Sequence, residues 1–143
     1  MTATALRANQ LSQYNREAIL SAPPARLLTM LYDRLLLDLG RAQFAQETAN
    51  WDVASSNLLH AQDIVAELAR TLNDEAWDGG PNLRGIYDYV MQAMIGANIH
   101  RDVERTKECV RLLEPLRQSW HEAASSITVA AATAPAGGAL GIG

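Results

Sequence analysis

Apolar side chains recur at three- and four-residue spacing along four long stretches of this chain, and a two-residue alternation never lasts. A period near 3.6 commits the polypeptide to helices, and β-branched residues are too few to suggest a sheet. The stretches are punctuated. Proline suits a first helical turn, where the N–H it lacks would have had no partner; the first helix is therefore predicted from Pro24 to about Gln46. A second is predicted from about Asn50, as N-cap, to Leu72. After Gly79-Gly80-Pro81 a third runs from about Asn82 to Ile99. Asp102 caps a fourth that ends near Ala124 and contains Pro115, which must remove one hydrogen bond and kink it.

Short connections favour antiparallel neighbours, so the expected fold is all-α, an antiparallel up-down-up-down four-helix bundle. At 143 residues the chain is one domain's worth. That domain is placed at residues 1–124. It includes an N-terminal arm or short helix over 1–22 that carries Leu6, Leu11, Tyr14, Ile19 and Leu20. Residues 125–143 are uncharged and rich in Ala and Gly, and are expected to be a disordered tail.

Charge and cysteine content exclude several classes. The formal net charge is −4, against the basic face that nucleic-acid binding needs. The cations between Arg101 and Arg117 alternate with Glu104, Glu108 and Glu114, a pattern of a solvated helix face with ion pairs. Cys109 is the only cysteine, so no disulfide framework exists. It falls in an apolar stripe and reads as small core filler. The N-terminal residues lack the apolar core of a signal peptide. No run approaches the roughly 18 apolar residues of a membrane span. The expected location is the cytoplasm, without membrane insertion.

Helical phase assigns the faces. On the second helix Ala54, Leu58, Ala61, Val65, Leu68 and Leu72 form one stripe. On the fourth Thr106, Cys109, Val110, Leu113, Leu116 and Trp120 do the same. The first helix carries too much. Nine of the thirteen residues in "LLTMLYDRLLLDL", 27–39, are apolar or aromatic, where a core-facing helix needs three or four in two turns. Leu28, Leu31, Tyr32, Leu35, Leu39 and Ala42 supply its core stripe. Met30, Leu37 and Phe44, spaced by seven, line up on the opposite side. The third helix points Leu83, Ile86, Val90, Met94 and Ala97 inward, while Met91, Ile95 and Ile99 wrap towards the back. Burying three such side chains is worth on the order of 5 to 9 kcal/mol gross, before the costs of ordering and association. A stripe of this kind implies a cover. The candidates are the chain's own N-terminal arm, a second copy of the chain as a homodimer, or an apolar helix of another protein lying in a groove.

Catalytic signals are thin, and no enzyme is expected. There is no phosphate loop, nucleophile elbow or HExxH. His60, Asp63 and Glu67 share an arc of the second helix, but on its polar side and without the inward Glu-x-x-His pairs of a di-iron bundle. Neither a metal nor another cofactor is expected. Asp33 and Asp88, each after a tyrosine, read as surface ion-pairing residues.

Three blocks carry a family resemblance. "YNREAILSAPPARLLTMLYDRLLLDL" is similar to the N-terminal signature of the flagellar secretion chaperone FliS family, through Tyr14, Ile19, Ser21, Ala22, Pro24, Leu27, Leu28, Met30, Leu31, Tyr32 and Asp33. "NLRGIYDYVMQAMIGANIHRD" resembles its second block through Leu83, Ile86, Tyr87, Asp88, Tyr89, Val90, Ala97, Asn98 and Asp102. "LLEPLRQSW" resembles its closing block through Leu112, Leu113, Leu116, Arg117 and Trp120. The blocks span residues 14–120 in the family's order. Two departures stand out: Pro23 where the family has Ser, and Arg34 where it has Gly, a long cation at a position without a side chain.

The resemblance implies a four-helix chaperone that binds the apolar C-terminal helices of flagellin in the cytoplasm. It would prevent their premature polymerisation and pass them to a component of the export gate. Joined to the face count, it places the cargo on Met30, Leu37, Phe44, Met91 and Ile95, with Tyr14, Ile19 and Leu20 of the arm covering part of that surface when cargo is absent. The alternative is a structural bundle whose spare stripe forms a homo-oligomer without cargo.

Overall fold

The computed structural model describes residues 24–73 and 78–133 of the chain. Four helices fill them: α1 (Pro24–Glu47), α2 (Trp51–Thr71), α3 (Gly80–Ile99) and α4 (Val103–Thr133). α1 packs on α2 and α4, and α3 packs on the same two helices. α1 and α3 therefore occupy diagonal corners of an antiparallel bundle, as the short connections require. The arm residues Tyr14, Ile19 and Leu20, and the segment 134–143, lie outside the described residues.

The expected core stripes form the interior. Tyr32, Leu35, Leu39 and Ala42 of α1 meet Leu58, Ala61, Val65 and Leu68 of α2. Leu83, Val90, Met94 and Ala97 of α3 and Cys109 and Leu113 of α4 complete the layers. At its centre the Tyr32 and Tyr87 hydroxyls are hydrogen-bonded at 2.7 Å, and the Tyr32 ring lies tilted against Trp120 at 6.4 Å. Burial raises both phenols above their ordinary value, so they stay neutral. Cys109 is buried filler, as expected; burial and the nearby Glu108 push its thiol up to about 12. A thiol so rarely ionised is a poor nucleophile.

Polar groups inside the bundle are paired. Thr106 Oγ1 donates to Gln46 Oε1 at 2.7 Å, and Gln46 Nε2 donates to the Ala97 carbonyl at 3.2 Å, so one amide joins α1, α3 and α4. Leaving these groups dry and unpaired would cost about 1–3 kcal/mol each.

Two helix–helix turns share one construction. Ala49 (φ 56°) and Arg101 (φ 53°) both adopt the left-handed conformation. The amides of Asn50 and Asp102 then reach back to the carbonyls of Ala45 and Ala97. These are Schellman closures, usually made with glycine. Asp102 caps α4 as expected, its Oδ1 accepting from the Glu104 amide. Asn50 does not cap α2: its side chain makes no capping bond, because this residue is drawn into the closure that ends α1. α3 starts at Gly80 rather than Asn82, with Pro81 in its first turn. The end of α2 is served by Arg84, whose Nη2 donates to the carbonyls of Ala69 and Leu72; a cation suits a helix C-terminus.

α4 corrects one boundary. It continues through Pro115 and past Ala124 to Thr133. Pro115 sits on the exposed side, where the carbonyl it deprives of a partner can turn to water. The residues after Ala124 lack bulk, but alanine has the highest helix propensity, so poor packing material can still be helical.

Candidate functional site

The stripe on α1 lies outside the bundle. Met30, Leu37 and Phe44 are 38 %, 45 % and 68 % exposed, so the interior does not absorb them. Ion pairs bracket the stripe. On the α4 side, Asp33 Oδ1 accepts from Arg117 Nη1 at 3.1 Å and meets His121 Nε2 at 2.6 Å. On the α2 side, the fully buried Asp38 accepts from Arg34 Nε at 3.0 Å and contacts His60 Nδ1. Arg34 is thus folded along its own helix. His60 faces Asp38 on another helix, and among the described residues no group of three or more His, Cys, Asp or Glu side chains could hold a metal.

Asp33 behaves as the surface pairing residue expected from sequence. Partial burial raises its carboxyl, but the hydrogen bonds and charges of His121 and Arg117 outweigh burial and hold it below the ordinary value. A depressed carboxylate favours folding above its unfolded pKa and loses that contribution as pH falls through its folded value. Asp33→Asn is therefore expected to destabilise the bundle at pH 6 by less than about 1 kcal/mol, since the pair is half exposed. The difference from the parent should close as pH falls towards 3. Denaturant melts across that range check it, and a gap that widens in acid would contradict the pairing.

On α3 the excess divides between two flanks. Met91 and Ile95 are half-buried and Ile99 is exposed. Met91 lies two turns beyond Arg84, on the flank turned to α2. Because α1 and α3 are diagonal, Met91 and Ile95 do not join Met30, Leu37 and Phe44 in one groove.

The flank facing α4 holds a surface that periodicity missed. Gly85, Ile86 and Tyr89 with Leu112 of α4 line an open furrow of about 410 Å³. Tyr89 is half exposed, and its hydroxyl donates to Glu108 Oε1 at 2.6 Å. A second apolar cleft, about 240 Å³, opens where α1 begins, between Leu28, Leu72, Leu83 and Trp120. The furrow's signal was present in sequence as a tyrosine, Tyr89, placed off the core stripe of α3.

The class the fold defines is a four-helix bundle with apolar side chains left on its outer faces. The family model for "Flagellar protein FliS" matches residues 7–127, and the chain belongs to the FliS family. It is 29 % identical over 118 residues to the flagellar secretion chaperone FliS of Bacillus subtilis (strain 168), covering 82 % of this chain and 88 % of that protein. To the protein of the same name from Escherichia coli (strain K12) it is 30 % identical over 107 residues, covering 73 % and 79 %. The crystal structure of a bacterial flagellar chaperone superposes with a TM-score of 0.67 at 20 % identity, covering 84 % of this chain and 98 % of that one. These relatives are named as chaperones rather than enzymes. No described helix is long and apolar enough to cross a membrane.

Proposed function

We propose that this protein is a cytoplasmic export chaperone for flagellin. It binds the apolar C-terminal helices of the filament subunit, keeps them from polymerising early and delivers them to a component of the export gate. The observation that carries this reading is the exposed row Met30, Leu37 and Phe44 on a chain of the FliS family. One amphipathic cargo helix lies along that row, and a separate cargo helix contacts Met91 and Ile95 on the diagonal helix α3. Binding of this kind needs no catalytic step, only a surface that replaces the partner helices of the filament.

The N-terminal arm, through Tyr14, Ile19 and Leu20, shields part of the apolar surface until cargo arrives. Its support is positional: the chain enters α1 at Pro24, one turn before Leu28 in the apolar end cleft. A tethered segment acts at roughly millimolar effective concentration, enough to cover the surface yet yield to a tighter ligand.

The test is calorimetric titration of the whole chain, and of a form lacking residues 1–20, with a peptide of the C-terminal flagellin helices. The parent should bind, and the shortened form should bind more tightly or aggregate. A parent that does not bind ends the chaperone reading. Unchanged behaviour of the shortened form ends only the role of the arm. A parent dimer that persists with peptide present would favour the homo-oligomer instead.

A further inference from the structure

The outer face of α1 is shaped as a hole. Leu37, Gly40, Arg41 and Phe44 stand at i, i+3, i+4 and i+7, the diamond into which a neighbouring helix inserts one side chain. Leu37 and Phe44 are its exposed apolar corners. Gly40 is exposed too, and a Cβ built there would meet nothing within 4 Å. Glycine inside a helix is less favourable than alanine, and no contact within the described bundle requires the space. The bare corner serves only an approach from outside.

The edges of the hole differ. Two turns earlier, Met30, Asp33, Arg34 and Leu37 form a second diamond, but its flanks are occupied: Asp33 by Arg117 and His121, Arg34 by Asp38. Arg41 is exposed and forms no ion pair with any described residue. In a chain of net charge −4, a cation without a partner among the described residues that borders an apolar face selects a helix edged with carboxylates.

Resting on the chaperone reading, the geometry points to Gly40 and Arg41 as the residues that set cargo register and specificity. The flagellin helix seats one large apolar side chain over Gly40, between Leu37 and Phe44. It sets an Asp or Glu about one turn away against Arg41. Leu37 and Phe44 supply apolar area that any greasy helix could use; Gly40 and Arg41 decide which helix fits and where it stops.

The experiment compares the parent, Gly40→Ala, Gly40→Leu and Arg41→Glu by titration with the C-terminal flagellin peptide and by thermal unfolding. Both glycine variants should unfold no lower than the parent, with Gly40→Ala about 3 °C higher. Gly40→Leu should nonetheless weaken peptide binding by about 30-fold or more, because its side chain fills the hole. Arg41→Glu should weaken it about fivefold at low ionic strength, with the difference closing as salt rises. Parent-like affinity of Gly40→Leu, in a parent that binds, overturns the hole and leaves the chaperone reading standing. Parent-like affinity of Arg41→Glu at low salt overturns the acidic edge. A parent that does not bind overturns both this inference and the reading beneath it.

Discussion

Replacing Met30 and Leu37 together with aspartate should abolish binding of the flagellin peptide while leaving the bundle folded. With 38 % and 45 % of their surface exposed in the free bundle, the two side chains together would gain about 1–2.5 kcal/mol if fully covered by cargo. The aspartates would also have to be desolvated beneath an apolar helix. The summed loss, about 5 kcal/mol, is more than a thousandfold in affinity. The folded state loses little. Both positions are already outside the core, and aspartate costs only about 0.5 kcal/mol in helix propensity at each. Local charges offset one another: an aspartate at 30 stands four residues from Arg26 and Arg34 but three from Asp33, and one at 37 stands four residues from both Arg41 and Asp33. Circular dichroism and titration on the same sample check it. A folded double variant that binds as the parent does would remove α1 from the docking surface.

The largest loss of stability should come from Tyr32→Ala. Tyr32 is fully buried, its hydroxyl is hydrogen-bonded to Tyr87 and its ring lies against Trp120. Truncation deletes an aromatic ring from the layer where α1, α3 and α4 meet and leaves the buried Tyr87 hydroxyl without this partner. Substitutions of that size cost about 3–5 kcal/mol, a fall in Tm on the order of 10 °C for a chain of this length. Tyr32→Phe keeps the ring and should cost about 1 kcal/mol. Thermal melts of the two variants separate packing from hydrogen bonding; equal losses would place the energy in the hydroxyls.

These expectations draw on features of unequal legibility. Helix starts were readable where a residue's chemistry is local: Pro24 at the head of α1, Asp102 capping α4. The exposure of Met30, Leu37 and Phe44 followed from phase alone, because one side of a helix cannot face the core. Features that depend on two helices at once were not readable. Asp38, within an apolar run, is fully buried because Arg34 and His60 close over it. Gln46 and Thr106, distant in sequence, meet inside the bundle. The furrow at Tyr89 exists only once Glu108 and Leu112 of α4 lie beside α3. The turns were obscure for another reason. Ala49 and Arg101 take a backbone conformation that glycine normally advertises.

Those two turns also bear on how quickly the protein becomes usable. Each ties neighbouring helices into a hairpin whose contacts are close in sequence, so each can assemble before the halves meet. Helical bundles as a class fold on the order of microseconds to milliseconds. Under the chaperone reading proposed above, such a protein is ready for its cargo almost as soon as it leaves the ribosome.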